Sequence, residues 1–200
     1  MSYDRKDAHY HRARAAGYRA RSAYKLAELN RRYRLLRHGD AVADLGCWPG
    51  GWLQVVGEVI GPEGRAVGVD VAPLAPLGAP NLLVVQGDVR EAAIIVTVLQ
   101  RLGRPADVIL SDLSPKLTGV RTTDHARSTE LAHTTLGILT TLLRPGGRLL
   151  TKVFMNPDYE GIAAEVRARF VSVHVTRPEA SRHGSAELYL IGLGFGGTES

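Results

Sequence analysis

Asp44-Leu45-Gly46-Cys47-Trp48-Pro49-Gly50-Gly51-Trp52 separates an apolar run at residues 41–43 from a segment with helical periodicity at residues 53–60. This order predicts the end of a buried strand, a glycine-rich turn and a helix. Such a turn brings backbone N–H groups close to a ligand at the start of the helix. We therefore expect a nucleotide-like cofactor at Gly46, Gly50 and Gly51, although such turns also occur as plain tight connections.

The spacing of these glycines indicates which cofactor binds. The chain lacks the G-x-G-x-x-G fingerprint of dinucleotide sites, because Trp48 stands where the second glycine should be. A pyrophosphate would meet a bulky side chain there, which argues against a nicotinamide dehydrogenase. A cofactor with a ribose but no phosphate fits better, and S-adenosylmethionine (SAM) is such a cofactor. Asp44, which opens the turn, suits the ammonium group and ribose of SAM.

The rest of the chain alternates apolar runs with helical segments, which predicts an α/β protein with a doubly wound, Rossmann-like sheet of seven strands. The last two strands follow each other without a helix, so we expect a mostly parallel sheet with one antiparallel strand. Pro145-Gly146-Gly147 predicts a helix exit. The predicted strands after residues 41–43 are 66–70, 81–86, 107–112, 148–154, 171–176 and 187–193, and the predicted helices are 20–34, 53–60, 91–102, 126–143 and 159–170.

A carboxylate ends each of the first four predicted strands, namely Asp44, Asp70, Asp88 and Asp112. Ligands of open α/β sheets bind beyond the carboxyl ends of the strands. We expect Asp70 to accept the ribose hydroxyls of SAM, Asp88 the adenine amino group, and Asp112 to face the methyl-donating end. For Asp88 the alternative is a helix N-cap.

Charge is distributed unevenly along the 200 residues. Residues 1–37 hold eleven Lys and Arg against three acidic residues, whereas the remainder has a net charge of −3. A basic arm on a mildly acidic body is typical of a nucleic-acid partner, although a solvated basic helix is the alternative. We predict a basic, RNA-facing arm and helix at residues 1–37, a catalytic domain at residues 38–195 and a flexible tail at residues 196–200.

Several protein classes are disfavoured by composition. No apolar run approaches the roughly 18 residues of a membrane span, and the N-terminus is polar and basic, so we expect a cytoplasmic protein without membrane contact. Cys47 is the only cysteine and the seven histidines are scattered, so no metal site is predicted. Cys47 lies in the cofactor turn, where it is poorly placed to act as the nucleophile of a cytosine C5-methyltransferase. The oligomeric state is not predicted.

Two lysines and a glutamate stand out from their apolar surroundings. Lys152 interrupts the apolar strand at residues 148–154, and Glu187 opens another strand. A charge within a strand costs desolvation unless it faces a cleft or a partner. Lys152 is therefore the strongest catalytic candidate, while a structural salt bridge or a strand-end charge that reaches water is the alternative.

Residues 17–195 resemble the FtsJ/RrmJ family of SAM-dependent RNA ribose 2′-O-methyltransferases. The family often has Ala-Ala in place of Cys47-Trp48 and Asn in place of Lys116. The motifs that carry the resemblance are Arg19-Ala20-Arg21-Ser22-Ala23-Tyr24-Lys25-Leu26, the turn at residues 44–52, Gly87-Asp88, Ser111-Asp112-Leu113-Ser114-Pro115, Lys152-Val153-Phe154, Ser181-Arg182 and Glu187-Leu188-Tyr189.

The resemblance implies a catalytic tetrad in which Lys152 accepts the proton of the hydroxyl, Asp112 positions Lys152 and the methyl group, and Lys25 and Glu187 fix the hydroxyl. It also implies that the turn and the acidic strand ends hold SAM. The expected SAM contacts are Gly46, Gly50, Gly51, Trp52, Asp70, Asp88 and Asp112, and the expected RNA contacts are Arg19, Arg21, Lys116 and Arg182.

The implied substrate is a uridine in the A-loop of large-subunit ribosomal RNA, met within a ribosomal particle, so that the protein serves rRNA processing and ribosome biogenesis. Two alternatives remain open. The first is 2′-O-methylation of another RNA, such as a tRNA anticodon loop or an mRNA cap. The second is a mainly RNA-binding ribosome-assembly factor that retains SAM affinity.

Overall fold

The structure is a computed structural model that describes residues 13, 15–115, 118–179, 181 and 186–196. Within these residues, helices alternate with strands except at two places: a loop without a helix joins the second strand to the third, and the last two strands also follow each other without a helix, as the sequence predicts. The helices are α1 (Ser22–Tyr33), α2 (Gly51–Ile60), α3 (Ala92–Leu102), α4 (Arg121–Leu142) and α5 (Tyr159–Arg169), and the strands are β1 (Ala41–Leu45), β2 (Arg65–Asp70), β3 (Leu82–Gln86), β4 (Ala106–Ser111), β5 (Leu143–Phe154), β6 (Phe170–Thr176) and β7 (Glu187–Phe195).

The strands form one seven-stranded sheet in the order β3-β2-β1-β4-β5-β7-β6. Strand β7 is antiparallel to β5 and β6, and the other neighbouring pairs are parallel. This confirms the predicted doubly wound sheet with one antiparallel strand. The chain order reverses between the neighbours β1 and β4, which is the point where such sheets bind ligands.

Each face of the sheet is covered by helices, and the side chains of β1 show why. Ala41 and Ala43 belong to the buried cluster formed with α3, α4 and α5, whereas Val42 belongs to the cluster formed with α1 and α2. Successive residues of a strand point to opposite faces, so a strand buried on both faces needs the continuous apolar run seen here. No helix among the described residues is long and apolar enough to cross a membrane.

Helix α1 lies within the predicted basic arm, yet its apolar side is part of the protein core. Ala23, Leu26 and Leu29 are buried against α2 and the sheet. A buried ion pair secures the segment that follows, because Arg148 Nη2 in β5 donates to Asp40 Oδ1 at 2.8 Å. The basic residues of α1 are thus carried by an element that packs as firmly as the rest of the fold.

Two element boundaries differ from the sequence prediction by more than two residues. Helix α4 begins at Arg121, before the predicted residue 126, because Asp124 accepts hydrogen bonds from the backbone N–H groups of Thr118 and Gly119 and so organises a polar first turn. Strand β5 begins at Leu143, and the predicted helix exit at residues 145–147 instead forms an irregularity within the strand. An apolar pattern detects neither feature.

Candidate active site

A cavity of about 620 Å³ opens at the carboxyl ends of β1, β2 and β4. Its volume falls within the range of roughly 300–1,000 Å³ that is typical of small-molecule sites. Four of the residues predicted to bind SAM line it, namely Gly46, Asp70, Asp88 and Asp112, together with Trp48 and Leu113. Asp70, Asp88 and Asp112 therefore border one cavity, whereas Asp44 is buried behind it and does not line it.

The turn after β1 is held in place by Asp70 at the end of β2. Oδ2 of Asp70 accepts the backbone N–H of Trp48 at 2.9 Å, and Oδ1 accepts that of Ala72 at 2.9 Å. Gly46 has a φ of +82°, and a Cβ at this position would lie 3.1 Å from the backbone nitrogen of Leu113. Only glycine combines this backbone conformation with so close a neighbour.

Asp44 is the residue that indicates a positively charged ligand. This carboxylate is fully buried, and neither of its oxygens has a hydrogen-bond partner among the described residues. Burial, and then repulsion by Asp112 and Asp70, raises the pKa of Asp44 well above its ordinary value. Carboxylates that lack positive partners favour a ligand that brings positive charge. SAM does so through its sulfonium and amino groups, and the residues present therefore fit it.

Asp88 lies on the same cavity wall and pairs with Arg90. Hydrogen bonds from the Arg90 side chain and backbone lower the pKa of Asp88, which keeps this carboxylate charged. The N-cap position of α3 is Glu91, so Asp88 does not cap that helix. Its contact with SAM remains a prediction.

The four predicted tetrad residues come together beside this cavity. Lys25 Nζ donates to Glu187 Oε2 at 2.7 Å. Lys152 Nζ donates to the backbone oxygen of Asp112 at 2.9 Å and lies 3.2 Å from its Oδ1. Both lysine side chains are almost fully buried, with 9% and 5% of their surface exposed. Their ammonium groups are thus held in fixed positions by carboxylates.

Distant parts of the chain supply these four side chains. Lys25 is in α1, Lys152 is in β5, and Glu187 is the first residue of β7. The register between β5 and β7 sets Lys152 opposite Tyr189, two residues from Glu187. Asp112 directly follows β4, the parallel neighbour of β5. The sheet therefore determines the distances within the site, and α1 closes it from one side.

Tyr189 joins the two ion pairs and was not among the predicted site residues. Its hydroxyl donates to Asp112 Oδ1 at 3.0 Å and lies 3.4 Å from Lys25 Nζ. Burial raises the pKa of Tyr189 well above its ordinary value, and the charges of Asp112 and Glu187 add to this effect, so the hydroxyl stays protonated. The two-residue period of a strand, which places Tyr189 on the face of Glu187, could have revealed it.

Some predicted contacts lie away from the cavity. Trp52 is buried, and its indole N–H donates to the backbone oxygen of Ser22. A Cβ at Gly51 would lie 3.1 Å from Cβ of Ala20, and a Cβ at Gly50 would lie 3.3 Å from the side chain of Arg19.

Among the predicted RNA contacts, Arg21 lies close enough to Glu187 for its positive charge to help lower the pKa of that carboxyl group. Lys116 and Arg182 lie outside the described residues. The RNA-binding roles of all three stay predictions.

Cys47 is unsuited to nucleophilic chemistry. The thiol is buried in the cofactor turn, and burial raises its pKa, with further contributions from Asp44 and Asp70. A protonated thiol is a poor nucleophile. This agrees with the sequence argument against a cytosine C5-methyltransferase.

The charge state of Glu187 offers a test of this geometry. Its burial opposes ionisation, but the charge and hydrogen bond of Lys25, with smaller contributions from Lys152 and Arg21, lower the pKa of Glu187 below its ordinary value of 4.5. The Lys25–Glu187 pair should thus stabilise the fold at neutral pH, and this contribution should vanish as the pH falls from about 4.5 through the lowered pKa.

We expect the carboxyl carbon of Glu187, followed by NMR, to titrate with a midpoint below 4.5. Lys25→Met should raise that midpoint, while Arg31→Met on the exposed side of α1 should leave it unchanged. A midpoint above the ordinary value in the wild-type protein would contradict the ion pair.

Comparisons with known proteins identify the family of the chain. Residues 18–195 match the model of the FtsJ-like methyltransferase family. A protein of Methanothrix thermoacetophila named ribosomal RNA large subunit methyltransferase E is 45% identical over 192 residues, which cover 96% of this chain and 74% of the relative. The protein of the same name from Azoarcus sp. is 44% identical, covering 94% of this chain and 91% of the relative.

Solved structures share the fold. A Plasmodium falciparum protein assigned as a ribosomal RNA methyltransferase superposes with a TM-score of 0.79 at 27% identity, covering 90% of this chain and 100% of that one. Fibrillarin of Aeropyrum pernix with bound SAM has a TM-score of 0.61 at 18% identity, covering 86% and 76%, and is similar in fold alone. From its family match and its close relatives, the chain belongs to the FtsJ-like methyltransferase family and uses SAM as its cofactor.

Proposed function

We propose that the protein transfers a methyl group from SAM to the ribose 2′-hydroxyl of large-subunit ribosomal RNA. The observation that carries this proposal is the hydrogen-bonded series Glu187–Lys25–Tyr189–Asp112–Lys152 beside the cofactor cavity. The names of the relatives support ribosomal RNA as the substrate. The basic residues carried on α1, adjacent to the site, are suited to an RNA backbone.

The arrangement suits attack by a weak nucleophile. Bound SAM supplies a methyl group on a positively charged sulfur. A ribose hydroxyl attacks such a centre faster when a positioned base takes its proton. In this proposal Lys152 takes the proton as a neutral amine, because its buried side chain is aimed by Asp112. Lys25, held by Glu187 and Tyr189, donates a hydrogen bond that orients the hydroxyl.

The finer substrate assignment is a uridine in the A-loop, modified within a ribosomal particle. In this proposal the basic arm and the particle together supply the specificity. The cytoplasmic location that this implies stays a prediction.

Mapping of ribose methylation tests the proposal. Large-subunit RNA from cells that lack this protein should lose one 2′-O-methyl group, and the purified protein should restore it on the isolated ribosomal particle in the presence of SAM. Loss of a modification in tRNA would instead identify another RNA substrate. If the cells that lack this protein keep every ribose methyl group, and the purified protein nevertheless binds the RNA, an assembly factor would be favoured.

A further inference from the structure

Arg19 lies outside the cofactor cavity but joins the segments that border it. Its Nη1 donates to the backbone oxygen of Ala75 and its Nη2 to that of Pro76, both at 2.7 Å. These carbonyls belong to the loop between β2 and β3, which begins at Val71 on the cavity wall. The guanidinium group, predicted to meet RNA, is thus engaged with this loop.

The backbone of Arg19 is itself fixed to the helix that follows the cofactor turn. Its N–H donates to Gln54 Oε1 of α2 at 2.7 Å, and Gln54 Nε2 donates to the backbone oxygen of Gly17 at 2.9 Å. One amide side chain therefore holds both ends of this short segment. Helix α2 therefore fixes the backbone position from which the Arg19 side chain extends to the loop.

The cofactor turn meets the same side chain at Gly50. A Cβ at this glycine would lie 3.3 Å from Cδ and Nη1 of Arg19, and 3.3 Å from Cδ2 of Leu77. Gly50 also has a φ of +102°, so its backbone conformation favours glycine. The turn after β1, the loop after β2 and the segment before α1 thus converge on Arg19.

We infer that Arg19 is a positioning residue for the cofactor: it holds the β2–β3 loop against the cofactor turn, so that the cavity is formed before SAM arrives. This inference rests on the proposed function for its cofactor. Without the guanidinium, part of the loop would have to be ordered on binding, which costs conformational entropy. The planar fork of arginine can hold two carbonyls at once, whereas the single ammonium of lysine cannot hold them in the same geometry.

The test is SAM affinity, measured by isothermal titration calorimetry without RNA. We expect Arg19→Ala to raise the dissociation constant about tenfold, which matches the entropic cost of ordering about one loop residue on binding. Arg19→Lys, which keeps the charge and most of the stem, should bind SAM nearly as weakly as Arg19→Ala. Arg31→Ala removes the same charge from an exposed position of α1 and should leave SAM affinity unchanged.

Two further readouts separate positioning from general stability. Amide hydrogen exchange of residues 71–80 in SAM-free protein should be faster in Arg19→Ala, whereas exchange in β4 should be unchanged. In the methylation assay, KM for SAM should rise, while kcat at saturating SAM should stay near its wild-type value.

Wild-type SAM affinity in Arg19→Ala, or its full recovery in Arg19→Lys, would overturn the inference. A lower free energy of unfolding in Arg19→Ala, together with an unchanged dissociation constant for SAM, would also overturn it. Because the calorimetry contains no RNA, it decides the role of Arg19 even if ribose methylation is not found. Conversely, a normal SAM affinity in Arg19→Ala would leave the proposed reaction intact.

Discussion

Lys152→Met should lower the rate of methyl transfer by about a thousandfold, within the range expected for loss of a positioned general base. Lys152 Nζ is held by the backbone oxygen of Asp112 at 2.9 Å, and its side chain is almost fully buried, so no water has free access to replace it. Methionine keeps the unbranched stem but cannot accept a proton. SAM affinity, measured separately by calorimetry, should stay close to that of the wild type.

The charge and the basicity of Lys152 can be separated with a second variant. An arginine side chain is permanently protonated in proteins, so Lys152→Arg retains a positive charge but removes the base. We expect it to be as inactive as Lys152→Met. Substantial activity in Lys152→Arg would show that the charge matters and proton transfer does not.

The other lysine of the site provides the matched control. Lys25 is equally buried and paired with a carboxylate, but in the proposed reaction it only orients the hydroxyl. Lys25→Met should therefore cost less activity than Lys152→Met. A larger loss in Lys25→Met would reverse the roles assigned to the two lysines.

Much of this site could be predicted because its side chains lie at the ends of apolar strands. Asp70 and Asp112 follow apolar runs, and parallel strands bring their carboxyl ends to one edge of the sheet. Lys152 was detectable because a charge is costly inside such a run. The pairing of Lys25 with Glu187, 162 residues away, has no local pattern, and only the family resemblance connected them.

Other features could not be predicted, for identifiable physical reasons. Arg19 was expected to contact RNA because a basic residue in a basic arm suggests a polyanion. Its partners within the protein, the backbone oxygens of Ala75 and Pro76, could not be predicted because carbonyl groups have no residue-specific signature in a sequence. Its contact with RNA stays a prediction. The first turn of α4 was missed because its residues are polar and lack the apolar period that marks helices. Hydrogen bonds to Asp124, and not apolar packing, stabilise this turn.

Asp112→Asn should reduce methyl transfer by at least about a hundredfold, because Lys152 loses its charged partner while the shape of the side chain is kept. It should also change cofactor preference. The Asp112 carboxylate lines the cavity, where its Oδ1 accepts the Tyr189 hydroxyl at 3.0 Å. If this charge faces the sulfur, it stabilises SAM, whose sulfur is positive, more than S-adenosylhomocysteine, whose sulfur is neutral.

The informative quantity is therefore the ratio of the two dissociation constants, measured by calorimetry in wild type and variant. In Asp112→Asn, SAM affinity should fall by about tenfold while S-adenosylhomocysteine affinity changes little, so that the preference for SAM declines. Asp88→Asn is the matched control: it removes a charge from the same cavity, at the predicted adenine end, and should weaken both ligands equally. If the ratio is unchanged in Asp112→Asn, the carboxylate does not act on the sulfur, and its effect on turnover must come through Lys152 alone.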